Sequence, residues 1–130
     1  MTGRIVIMAV VGACALTACS SSIPDVPMSE KVACKNVAGV HAVERTAAAT
    51  AAIGKSSVAQ ATRVERELVV RMAGIEQSLA AGGLRRAVGE WRAAMVAELQ
   101  NPNDEVRAVA TQDARDRVDD ICAIPRLPRS

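Results

Sequence analysis

Aromatic side chains are almost missing from this chain: its 130 residues hold one Trp and neither Phe nor Tyr. That leaves no platform on which bases could stack. The formal charge of +2 is too small to make an electrostatic case for nucleic acid, so nucleic-acid binding is not expected. A sheet sandwich, whose core wants large side chains, is also poorly served. Histidine occurs once, at His41, so no His-x-x-x-His spacing exists and zinc enzymes find no ligand set. No strand-like alternation appears along the chain. What remains is Ala, Val, Leu, Ile and Met. With 50% apolar residues, that composition suits closely packed helices in one modest domain.

The N-terminus has a recognisable layout. Met1-Thr2-Gly3-Arg4 carries one positive charge, Ile5 to Ala15 form an apolar run, and Leu16-Thr17-Ala18-Cys19 follow. A basic end before a short apolar segment fits a secretory leader, and the run is shorter than the roughly twenty residues a stable span requires. The last four residues resemble the lipobox of bacterial type II signal peptides: an aliphatic residue, two small residues, then Cys. The resemblance covers about nineteen residues and matches at all four lipobox positions. It implies cleavage between Ala18 and Cys19, diacylglycerol on the Cys19 thiol, further acylation (palmitate or similar) of the new amine, and loss of Cys14 with the leader. Two or more acyl chains, at about 0.8 kcal/mol per buried methylene, give stable anchoring. The expected address is the extracytoplasmic face of the cell membrane, or the outer membrane in a diderm, because Ser20 rather than Asp follows the Cys. Arg outnumbering Lys, with abundant Ala, fits a GC-rich genome such as an actinobacterium's.

Residues 1–18 are thus read as signal peptide and 19–28 as lipidated Cys and flexible tether, the latter with Pro24, Pro27 and three Ser. Fully extended at about 3.3 Å per residue, the tether reaches roughly 30 Å. Residues 29–124 are expected to form an all-α, antiparallel up-down four-helix bundle, and 125–130 a Pro/Arg tail. Helix 1 opens at Ser29 with Glu30 in its first turn, carries Val32, Val40, Val43 and Ala47, and runs to about Ile53. Ser57 and Gln60 form a capping-box pattern opening helix 2. Its stripe is Ala61, Val64, Leu68, Met72, Ile75 and Leu79, and Gly82-Gly83 is expected to end it in a left-handed turn. Helix 3 presents Leu84, Val88, Trp91, Met95 and Leu99. Asn101 as cap and Pro102 at the first helical position are expected to start helix 4, with Val106, Ala110, Ala114, Val118 and Ile121 facing inward.

Short turns force antiparallel neighbours, so the start of helix 1 and the end of helix 4 share one end of the bundle. Cys34 and Cys122 fall there. Outside the cytoplasm such thiols are expected to form a disulfide, closing a loop of 88 residues that contributes about 4 to 5 kcal/mol in the chain-entropy model.

Sites for chemistry are few. His41 has Glu44 and Arg45 one turn on, which could serve acid–base work, but a lone helical His is more commonly a surface or packing residue. Gly54-Lys55-Ser56 resembles the end of a phosphate-binding loop, yet Ala49 stands where the earlier glycine belongs, so a helix–helix turn is expected. Asp113, Asp116, Asp119 and Asp120, interleaved with Arg115 and Arg117, could attract a divalent cation; a solvated face with local ion pairs is the simpler expectation. Arg85, Arg86 and the tail arginines could meet anionic headgroups or cell-wall polymers. Trp91 lies on an apolar stripe and is expected in the core; were it exposed, it would be the natural contact for a partner. No catalytic set and no cofactor is implied. The functional expectation is a non-catalytic, lipid-anchored envelope protein acting on an unknown envelope protein or polymer. Alternatives are a carrier holding an apolar ligand between helices, and a prophage-derived lipoprotein that excludes superinfecting phage.

Overall fold

The computed structural model of the chain describes residues 26–126. The expected leader, the expected cleavage and lipidation at Ala18 and Cys19, most of the expected tether and the end of the tail lie outside the described residues. Four helices follow one another: α1 (Glu30–Ala52), α2 (Val58–Ser78), α3 (Gly83–Gln100) and α4 (Glu105–Cys122). Each packs on the next in sequence, giving the expected all-α four-helix arrangement. Among the described residues no strand occurs, and none of the helices is long and apolar enough to cross a membrane.

The helix boundaries follow local chemistry. Ser29 Oγ accepts from Val32 N–H to cap α1. Ser57 and Gln60 exchange both bonds of a capping box at the start of α2, satisfying two otherwise orphaned donors. Gly54, with φ of 73°, turns the chain between α1 and α2, a conformation that glycine adopts without steric penalty, so Gly54-Lys55-Ser56 is a helix–helix turn. Two boundaries differ from expectation. α2 stops at Ser78 because Leu79 is extended (φ −84°, ψ 146°), held in a parallel bridge with Met28 whose N–H donates to Ser78 O at 2.7 Å. Neither Gly82 nor Gly83 is left-handed; Gly82 instead caps α3. α4 begins after Asp104, whose carboxylate accepts from Val106 and Arg107 N–H. A charged acceptor beside the positive helix end outcompetes Asn101, leaving Asn101 and Pro102 in the preceding turn. At the far end Ala123 is left-handed (φ 54°), and Ile124 N–H returns to Asp119 O at 2.9 Å, the six-to-one bond of a Schellman closure.

The core is concentrated toward one end. α1 contributes Ala33, Val37 and Val40, α2 Leu68, Met72 and Ile75, α3 Leu84, Ala87, Val88, Trp91 and Met95, and α4 Ala114 and Val118, with Leu79 from the α2–α3 connection. Beyond His41 on α1, and before Leu68 on α2, no residue is fully buried. The inward faces of the outer helices differ from the apolar count. Val32 and Val43 of α1 are exposed, and so are Val106 and Ile121 of α4. On α4 the expected stripe advanced by fours, which drifts about 40° per step, so Val106 lies about 120° round the helix from Val118. The buried face runs instead through Thr111, Ala114, Val118 and Asp119.

Candidate functional site

Cys34 and Cys122 are joined, with Cα atoms 5.3 Å apart, within the range a disulfide requires. The bond fixes the antiparallel register of α1 and α4. Seven residues past Cys34, His41 then meets the turn that precedes Cys122. His41 Nε2 lies 3.1 Å from Asp119 Oδ2, with both side chains almost fully buried. One turn further, Arg115 Nη1 donates to Glu44 Oε1 at 3.2 Å, and this pair is about four-fifths buried. Trp91 of α3, 0% exposed, places its ring 6.0 Å from the His41 ring at 51°. The seam between α1 and α4 is therefore a disulfide followed by two stacked polar pairs.

Burial sets the electrostatics of this seam. Desolvation pushes the Asp119 carboxyl above its usual range, and it outweighs the opposing pull of His41 and Arg115. His41 Nδ1, Asp119 Oδ1, Glu44 Oε2 and Trp91 Nε1 are buried without a hydrogen-bond partner. Orphaned polar atoms of this kind each carry a desolvation penalty of about 1–3 kcal/mol. A buried pair of this kind adds little net stability once its desolvation is counted, although removing one partner alone is costly. A general acid or base must come within about 3 Å of a reacting atom, and His41 and Asp119 face only protein. Further along, Glu65 of α2 is raised by burial first, then by the neighbouring carboxylates of Glu98 and Glu44.

The remaining residues singled out from sequence disperse. Trp91 is sealed in the core, so it is no surface contact for a partner; it lies on the buried face of α3 with Leu84, Ala87, Val88 and Met95. The acidic run on α4 splits: Asp119 turns inward, contrary to a uniformly solvated face, while Asp120 pairs with Arg126 outside, and Arg117 reaches Glu90 of α3 at 3.3 Å. Among the described residues no group of three or more His, Cys, Asp and Glu side chains is placed to hold a metal ion. Arg85 Nη1 donates to Leu79 O at 3.3 Å, and both Arg85 and Arg86 are exposed.

A surface feature unexpected from the sequence lies on the other side of α1. Between α1 and α2, at the end away from the disulfide, runs an open groove of about 430 Å³. Val43, Ala47, Thr50, Ala61 and Val64 line it, and no lining residue is charged. Thr46 and Thr50 spend their hydroxyl donors on Ala42 O and Thr46 O at 2.9 and 2.6 Å, so the wall behaves as an apolar one. The small residues at the end of α1 and the start of α2 leave this space open, and the missing core there is the same fact seen from inside. Comparison with protein-family models, curated proteins and solved structures finds no match to this chain.

Proposed function

We propose that the chain is a lipid-anchored, non-catalytic lipoprotein of the cell envelope that acts through a protein or polymer partner met by the end of the bundle away from its anchor. The Cys34–Cys122 disulfide carries this reading. Such bonds persist in oxidising compartments and are rare in the cytosol, in agreement with the lipobox-like Leu16-Thr17-Ala18-Cys19. The bond lies near the same end of α1 as Met28, on the side of the chain from Cys19, so the far end of the bundle, which carries the α1–α2 groove, would face outward. Two measurements test it. Cys19→Ala should abolish incorporation of labelled palmitate and move the chain out of the membrane fraction; unchanged fractionation would sink the anchor. A photocrosslinker at Val43 on intact cells should capture a discrete partner that one at Val70, exposed elsewhere on α2, does not; equal or absent capture removes the partner surface.

A second reading is favoured by the groove's chemistry. At about 430 Å³ it exceeds the roughly 300 Å³ at which small-molecule sites begin, and its uncharged wall suits an acyl chain. Native mass spectrometry of the purified protein distinguishes the two readings: a co-purified lipid that Ala47→Trp displaces supports the carrier.

A further inference from the structure

Three methionines lie among the described residues, in unequal surroundings. Met72 and Met95 are 0% and 4% exposed in the core. Met28 is half-buried at the point where the chain joins the bundle. Its N–H donates to Ser78 O and it bridges Leu79, its side chain packs against the core, and its Sδ accepts from the exposed Asn36 Nδ2 at 3.6 Å. A sulfur that a surface amide can reach is also open to a small oxidant.

We propose that Met28 is a modification site, a peroxide-sensitive clasp whose oxidation to the sulfoxide frees the segment before α1 from the end of α2. A lone pair on Sδ attacks one oxygen of hydrogen peroxide, the S–O bond forms and the O–O bond breaks. The second oxygen leaves as water with both protons; sulfur loses the two electrons that peroxide gains. The product is polar and branched where the thioether was apolar and flexible. Set against Leu79 and the core, its oxygen is desolvated at a cost. Its nearest donor is Asn36 at the surface, so the oxygen gains most by turning outward. That movement withdraws the side chain from the core and strains the Met28–Ser78 hydrogen bond. Oxidation and release stand on this geometry alone; the further consequence, a longer tether, rests on the lipoprotein reading above.

The test uses the full chain with its disulfide intact. Under hydrogen peroxide, peptide mass spectrometry should show one added oxygen on Met28 well before Met72 and Met95; comparable rates at the three would overturn the site. Amide exchange at Met28 should then quicken by about fivefold, the factor expected when roughly half of a methionine's burial is forfeited; unchanged exchange would overturn the clasp. Met28→Leu should keep slow exchange under the same peroxide, and an equal acceleration in that variant would show that Met28 is not the cause. Should Cys19→Ala leave the chain in membranes, the tether reading fails while these outcomes still decide the clasp.

Discussion

Opening the Cys34–Cys122 bond is the perturbation whose effect can be worked most directly from the structure. The bond closes a loop with a sequence separation of 88. In the chain-entropy model a loop of that length withholds about 15 cal/mol/K from the unfolded ensemble, or about 4.6 kcal/mol near 25 °C. Native geometry does not reduce this through misplacement of the backbone, since the Cα separation of 5.3 Å is ordinary. The rest of the α1–α4 seam offers little reserve: close backbone packing runs between consecutive helices, and the two polar pairs carry desolvation costs of their own. The double variant Cys34→Ala, Cys122→Ala should therefore lose about 4 kcal/mol. For a domain of this size that corresponds to a fall in Tm of about 15–30 °C. Thermal unfolding followed by far-UV circular dichroism, with urea titration alongside, reads both quantities. A loss below about 1 kcal/mol, or a first transition confined to α1 while α2–α4 stay folded, would refute the assignment of this stability to loop closure across the whole bundle.

Other perturbations probe the seam and its surroundings. Asp119→Ala, which leaves His41 buried and alone, should cost about 3 kcal/mol, whereas His41→Leu with Asp119→Leu should recover most of it; urea midpoints of the two variants against the unaltered chain decide, and equal losses in the single and double variants would contradict the pairing. Glu65 holds its proton more tightly folded than unfolded, so its contribution to stability is greatest in acid and is lost as pH rises through its raised range. Glu65→Gln should accordingly stabilise the fold near pH 7 by about 0.5 kcal/mol, with the gain vanishing near about pH 3 in parallel denaturation curves. A Cβ at Gly89 would lie 2.8 Å from Glu76 Oε1, so Gly89→Ala should displace the Glu76 carboxylate from Arg92 Nε, now 2.6 Å away; the coupling lost from this largely buried pair is about 0.5 kcal/mol, read from a cycle with Arg92→Ala because alanine's helix advantage of about 0.5–1 kcal/mol offsets it in the single variant.

Much of this architecture was legible in the order of residues. The stripes of α2 and α3 are spaced by threes and fours without drift, and Leu68, Met72, Ile75, Leu84, Val88, Trp91 and Met95 are all buried. The capping box at Ser57 and the Cys34–Cys122 pairing follow from side-chain chemistry and from antiparallel topology. α1 and α4 were misread for one shared reason: their inward faces are partly polar, so a count of apolar residues selects the wrong face. His41 and Asp119 were visible as types but not as neighbours. The signal that unites them is the disulfide register, since seven residues after Cys34 and three before Cys122 fall about one turn apart across an antiparallel pair, within reach of their two side chains. The groove had no such signal. It arises where small side chains fail to fill a gap between two packed helices, and such a gap carries no motif.

The position of the disulfide also determines how a mechanical load would travel. Chain entering at Met28 passes into α1, and Cys34 lies only about one turn inside that helix. A pull on the entering segment, resisted by something held at the α1–α2 groove, first loads the Met28–Ser78 hydrogen bond and the packing of Met28 and Ala33, and then, about one turn into α1, a covalent bond to α4. Beyond that point tension is split between two helices at opposite ends of the sequence, so among the described residues it is the stretch from Met28 to Cys34 that would peel away before a covalent link takes the strain.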